Sequence, residues 1–232
     1  MKNILYTLAL LVSFSSFGQT AGEYNNSGID KAEAKDYYGA ISDYNKAIEI
    51  DPNHTNAYIN RGNSKAELKD YNGSISDYSK AIELNPNYAD AYYNRGNSKY
   101  NLKDYSGAIS DYNKVIELNS SQVNAYINRG LAKGGLKDYS GAINDFNKAI
   151  ELDSNVPEVY NNRGDLKYTL NDYSGAISDF NKAIELSPNY VTAYSNRGAA
   201  KYFLGDLNGA CADARKAKEL GGSDELIKLL CN

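Results

Sequence analysis

An all-α solenoid of paired helices is the fold this sequence predicts, and three observations predict it. A glycine recurs at Gly28, Gly62, Gly96, Gly130, Gly164 and Gly198, each interval being 34 residues with no insertion. Strict phase over six copies marks a repeat architecture. Each copy holds two stretches of helical periodicity. In the second copy these are Tyr58, Arg61, Gly62, Lys65 and Leu68, then Tyr71, Ser74, Ile75, Tyr78, Ala81 and Ile82. Spacings of three and four put each set on one helical face. Between the two stretches an Asp recurs at Asp36, Asp70, Asp104, Asp138, Asp172 and Asp206, where the N-cap of a second helix belongs.

In chain order, residues 1–18 differ from the rest. Lys2 precedes an apolar run from Ile4 to Val12, and Ser16 and Gly18 place small residues at −3 and −1 before Gln19. That pattern reads as a secretory signal peptide, with a mature chain from Gln19 that leaves the cytosol, bacterial and periplasmic or secreted. No later run is long enough to cross a membrane. The repeat domain spans 19–224, with copies at 21–54, 55–88, 89–122, 123–156, 157–190 and 191–224. Second helices are expected to stop at Asp51-Pro52, Asn85-Pro86 and Ser187-Pro188, because proline cannot continue a helix. The third and fourth copies lack that proline. Ser223 and Asp224 open a short capping helix over 225–232, whose Leu226, Leu229 and Leu230 are expected to cover the last repeat; Ile29 and Ala32 soften the first.

A glycine inside a helix costs about 1 kcal/mol relative to alanine, so keeping one six times implies a packing reason. Small residues (Ala40, Ser74, Ala108, Ala142, Ala176, Ala210) hold a second fixed position. The aromatics Tyr44, Tyr78, Tyr112, Phe146 and Phe180 hold a third and are expected in the core. This order of aromatic, Gly, Ala, aromatic, Ala and Pro resembles the tetratricopeptide repeat over residues 21–224. The resemblance implies a right-handed superhelix of antiparallel helix pairs, first helices lining a concave face, that serves as a protein-interaction scaffold. Two departures are regular: Arg stands before the Gly in copies two to six, and Lys three residues after it.

An Asp precedes the second-helix aromatic in each of the first five copies, and Asp213 precedes Ala214 in the sixth; Arg is missing only in copy one, where Ser27 stands. Pairing each Asp with the next copy's Arg leaves none orphaned at the first repeat. The expected pairs are therefore Asp43–Arg61, Asp77–Arg95, Asp111–Arg129, Asp145–Arg163 and Asp179–Arg197.

The chemistry available is sparse. The single histidine, His54, has no metal-spaced companions, no serine has a base, and no glycine loop suits phosphate, so neither catalysis, metal nor cofactor is expected. A net charge of −4 with interspersed signs argues against nucleic acid. Cys211 and Cys231 can pair in an exported chain or sit as small buried hydrophobes. The resemblance places a row of asparagines on the concave face: Asn26, Asn60, Asn94, Asn128, Asn162 and Asn196. A peptide site is expected at Asn60, Tyr93, Asn94, Asn97, Tyr100, Asn101, Asn128 and Asn162, because an amide offers both donors and an acceptor to extended backbone; the other reading of the asparagine row is a consensus residue that serves its own fold. The clamp by which some family members hold a C-terminal carboxylate is not matched; Asn25, Ile59, Tyr93, Asn56 and Asp90 stand there, without a Lys. The groove suits uncharged or mildly basic polypeptide. The partner class is a protein or extended peptide, with a self-associating envelope subunit as the alternative and glycan binding a third reading.

Overall fold

The computed structural model describes residues 19–231, so the leader read at 1–18 lies outside the described residues. Among these, thirteen helices follow one another: α1 (Ala21–Glu33), α2 (Tyr37–Ile50), α3 (Thr55–Glu67), α4 (Tyr71–Leu84), α5 (Ala89–Asn101), α6 (Tyr105–Leu118), α7 (Val123–Gly135), α8 (Tyr139–Leu152), α9 (Pro157–Thr169), α10 (Tyr173–Leu186), α11 (Val191–Phe203), α12 (Leu207–Glu219) and α13 (Glu225–Leu230). Each odd helix packs on the even helix after it, and each even helix on the next odd one. The result is a solenoid of helix pairs.

Three-residue turns join the helices within a pair, and one Asp does two jobs in each. The Asp70 N–H donates to Lys65 O at 2.8 Å and the Lys69 N–H to Ala66 O at 2.8 Å, which closes α3 in a Schellman motif. The Asp70 carboxylate meanwhile accepts from Gly73 N at 2.9 Å and caps α4. The left-handed seat is held by Lys35, Lys69, Lys103, Lys137 and Asn171, and by Gly205 in the last pair. Between pairs, Asp51, Asn85, Asn119 and Asp153 accept from the N–H two residues on. This Asx turn stops the helix at four of the five joints, so α6 and α8 end at the same phase as α4 without a proline, while α10 ends at Ser187-Pro188.

The repeated glycine makes room for the second-helix aromatic. A Cβ on Gly96 would lie 2.8 Å from Tyr112 Cε1, and one on Gly62 2.7 Å from Tyr78 Cε1. Tyr44, Tyr78, Tyr112, Phe146 and Phe180 are fully buried against that bare backbone, with the small residues beside them. In the last pair Ala214 carries no ring, and Leu230 reaches 3.7 Å from where a Gly198 Cβ would be.

The ends are closed differently from expectation. Leu229 is 68% exposed, whereas Leu230 is buried and Ile227 packs with it on Ala210 and Ala214. A six-residue helix presents one face, and that face carries positions 227 and 230; the Leu226 side chain lies outside the described residues. Cys211 and Cys231 are joined by a disulfide, with Cα atoms 4.9 Å apart. At the other end Glu23 and Asp30 stand exposed where later repeats carry small or apolar residues such as Ala57 and Ser64, both buried. Ile29 and Ala32 instead line the groove.

The Asp–Arg pairing also differs. Arg95 donates through Nε (3.0 Å) and Nη2 (2.7 Å) to Asp111 of its own repeat, and Lys99 approaches the same carboxylate at 2.8 Å. The same geometry joins Arg61 to Asp77, Arg129 to Asp145, Arg163 to Asp179 and Arg197 to Asp213. The reason is the glycine–aromatic contact: Arg precedes the glycine and Asp precedes the ring that covers it, so packing those two brings their neighbours together. Asp43 is not orphaned, since Ser27 Oγ (2.7 Å) and Lys31 Nζ (2.5 Å) take the place of the arginine. The Lys three residues after the glycine, present in all six copies, was the signal for this arrangement. Arginine still bridges repeats, through its other nitrogen: Arg61 Nη1 donates to Asn45 Oδ1 at 2.7 Å, Arg95 to Ser79 Oγ at 3.0 Å and Arg129 to Asn113 Oδ1 at 2.7 Å.

Candidate functional site: the first-helix groove

The odd-numbered helices share a face that carries a line of five cavities. The largest, about 610 Å³, lies between the second and third repeats and is lined by Asn63, Glu67, Tyr71, Asn94, Asn97 and Asn101, among others. A cavity of about 350 Å³ precedes it, with Ile29, Tyr37, Asn60 and Glu67 in its wall. One of about 340 Å³ follows, walled by Asn97, Tyr100, Asn101, Asn128 and Leu131. The line ends with cavities of about 310 Å³, which includes Asn162 and Asp165, and about 210 Å³, formed by Asp165, Tyr168, Asn196 and Ala199.

Seven of the eight expected site residues therefore line these cavities; Tyr93 does not, and its half-buried ring lies 6.0 Å from that of Tyr112. The amides do not face the groove unengaged. Asn60 Nδ2 donates to Asn25 Oδ1 at 3.1 Å, Asn94 to Asn63 at 3.1 Å, and Asn196 to Asn161 at 3.3 Å. Asn128 donates to both Tyr93 Oη (3.0 Å) and Asn97 Oδ1 (2.9 Å). Each link runs back to the preceding repeat, so the row is first an inter-repeat ladder. Asn63 and Asn97 also accept from the buried Tyr78 and Tyr112 hydroxyls at 2.8 Å. Burial pushes the Tyr44 phenol up to about 12 and holds those of Tyr78 and Tyr112 well above the ordinary range. The Tyr78 and Tyr112 hydroxyls thus stay protonated and donate to Asn63 and Asn97. Asn101 Nδ2 bonds only the Asn97 carbonyl of its own helix, at 2.9 Å. It and Asn162, whose amide makes no hydrogen bond among the described residues, are the amides in the set that do not tie one repeat to the next.

Glu33, Glu67 and Asp165 were missing from the expected set, and all three line the groove. The signal was available: at the position after the repeated glycine, Asp165 is the charged residue in a series otherwise apolar or amide. Lys69 is the one cation among the residues lining the five cavities. Among the described residues no group of His, Cys, Asp and Glu could hold a metal ion.

Models of the TPR repeat match residues 62–103, 135–171 and 164–205, and models of the tetratricopeptide repeat match 89–122 and 30–54. Together the matched segments span more than half of the chain. The chain belongs to the tetratricopeptide-repeat family. Solved structures share the fold. A MamA protein is 25% identical with a TM-score of 0.67, over 72% of this chain and 91% of its own. YrrB, described as a TPR protein with an unusual peptide-binding site, is 23% identical with a TM-score of 0.67, over 80% and 96%. PilF of Pseudomonas aeruginosa is 19% identical with a TM-score of 0.75, over 90% and 95%. No curated protein matches the sequence.

Proposed function

We propose that this chain is an exported, non-enzymatic scaffold that holds an extended peptide segment or protein partner in the first-helix groove. The observation that carries it is the unbroken line of cavities, lined by amides and tyrosines, along the inner face of all six repeats. A groove of fixed donors and acceptors with apolar floors matches extended backbone with spaced side chains. No helix among the described residues is long and apolar enough to cross a membrane. Site-specific photo-crosslinking tests the surface. A benzophenone side chain at Asn101 is expected to capture a discrete envelope protein, and the same group at Ser110, on the exposed side of α6, is not. Capture at Ser110 alone overturns the groove reading. Intact mass of the secreted chain tests export, with an N-terminus at Gln19 expected.

Self-association is the second reading, favoured by a specific patch: Phe203, Leu204 and Leu207 are each more than half exposed at the C-terminal end. Sedimentation equilibrium decides it, since a chain that is monomeric at tens of micromolar leaves no role for that patch in assembly.

A further inference from the structure

The last cavity of the groove is the smallest of the five and shares Asp165 with the cavity before it. Its wall carries one carboxylate, Asp165, and one ring, Tyr168, with Asn196 and Ala199 opposite. Its volume of about 210 Å³ corresponds to roughly seven waters of liquid. Tyr168 belongs to a cluster of four rings. Its centroid is 5.4 Å from Tyr173 and 5.8 Å from Phe203, Tyr173 and Phe203 stack at 5.1 Å, and Tyr202 stands edge-on to Phe203 at 5.8 Å. Tyr202 and Phe203 are open to solvent.

The carboxylate has no partner cation among the described residues. The two cations on its own helix, Arg163 and Lys167, are turned to Asp179, at 2.5 Å and 2.8 Å. Asn196 spends its Nδ2 on Asn161, which leaves its carbonyl oxygen as an acceptor on the opposite wall. The lining thus offers a carboxylate, an amide with a free carbonyl oxygen and one aromatic ring, and no cation. Partial dehydration by the pocket walls holds the Asp165 carboxyl above the ordinary carboxylate range, so its anion gains from an arriving positive charge.

We infer that the pocket formed by Asp165, Tyr168 and Asn196 receives a basic side chain, arginine or lysine, of the bound peptide. The carboxylate pairs with the cation, and the Tyr168 ring takes its alkyl stem and charge. This rests on the groove reading above and assigns it polarity. With Glu33 and Glu67 acidic at the opposite end, the occupant is a basic rather than an acidic segment.

The test uses the mature chain and a defined probe. Nα-acetyl-arginine methylamide is titrated against the ¹⁵N-labelled protein, with the citrulline counterpart as neutral isostere. Saturable shifts are expected at Asp165, Tyr168, Asn196 and Ala199 with arginine, and none with citrulline. Asp165→Asn should weaken binding about two- to fivefold, the weight of an exposed ion pair, with melting unchanged. Equal shifts from citrulline, undiminished binding to Asp165→Asn, or shifts confined to Glu33 and Glu67 each overturn the assignment. None of those results touches crosslinking at Asn101, so failure of the pocket and failure of the groove are read separately.

Discussion

Replacing Asp111 with alanine is expected to be among the most damaging single changes in this chain. Its carboxylate is 3% exposed and accepts from Arg95 Nε, Arg95 Nη2 and Lys99 Nζ at 2.7–3.0 Å. Removing one partner of a buried ion pair costs about 3–5 kcal/mol, because the remaining charge stays buried and unpaired. Arg95 and Lys99 keep 18% and 19% of their side-chain surface in water, so partial rehydration sets the loss near the lower end, about 3 kcal/mol. For a chain of this size that is a fall in melting temperature of about 6–12 °C. Arg95→Ser should cost less, about 1–2 kcal/mol, because Lys99 still holds the carboxylate; Ser27, Lys31 and Asp43 of the first repeat are that arrangement in nature. Urea titration of both single variants, and of double-mutant cycles, measures this. The cycle Arg95/Asp111 should show coupling above about 1 kcal/mol, and Arg95/Asp77 within about 0.5 kcal/mol of additive. Arg95→Ser proving as costly as Asp111→Ala, or stronger coupling to Asp77, would refute the intra-repeat account.

Gly96→Ala gains about 1 kcal/mol of helix propensity but drives a Cβ to 2.8 Å from a ring whose hydroxyl is tied to Asn97. Overpacking of about 1–3 kcal/mol should win, and a variant more stable than the parent in urea would show that the ring can move. Asp43 should make the first repeat acid-sensitive. Burial alone would raise its carboxyl, but hydrogen bonds from Lys31 and Ser27 and the charges of Lys31 and Lys46 outweigh that and lower it. A lowered folded pKa contributes stability above the ordinary carboxylate range and loses it as pH falls through the folded value. Amide exchange in α1 should therefore accelerate in acid, and Asp43→Asn should flatten that dependence. Reducing the Cys211–Cys231 bond reopens a loop with a sequence separation of 20, worth about 3 kcal/mol in chain entropy. A six-residue helix is marginal alone, so exchange should rise in α13 and the adjoining face of α12 while α3 to α10 keep their protection; uniform loss across the solenoid would contradict that locality.

The sequence by itself determined the architecture. The 34-residue phase, the paired helical periods, the capping Asp, and the glycine, alanine and aromatic positions are local or periodic properties, legible without knowing what packs on what. Only the tertiary structure decided between partners that sequence spacing leaves equivalent. Asp111 lies 16 residues from Arg95 and 18 from Arg129, so distance along the chain could not choose; the ring of Tyr112 seated on Gly96 did. Seven of the eight residues expected for the peptide site line the cavities, but their hydrogen bonds were not legible. Asn128 reaches back to Tyr93 and Asn97 because stacking brings first helices of neighbouring repeats side by side. Stacking likewise opened the cavities and left Asp165 without a cation while turning Arg163 and Lys167 toward Asp179. A repeating sequence encodes its unit, whereas the free valences of the assembled surface arise from how the units meet.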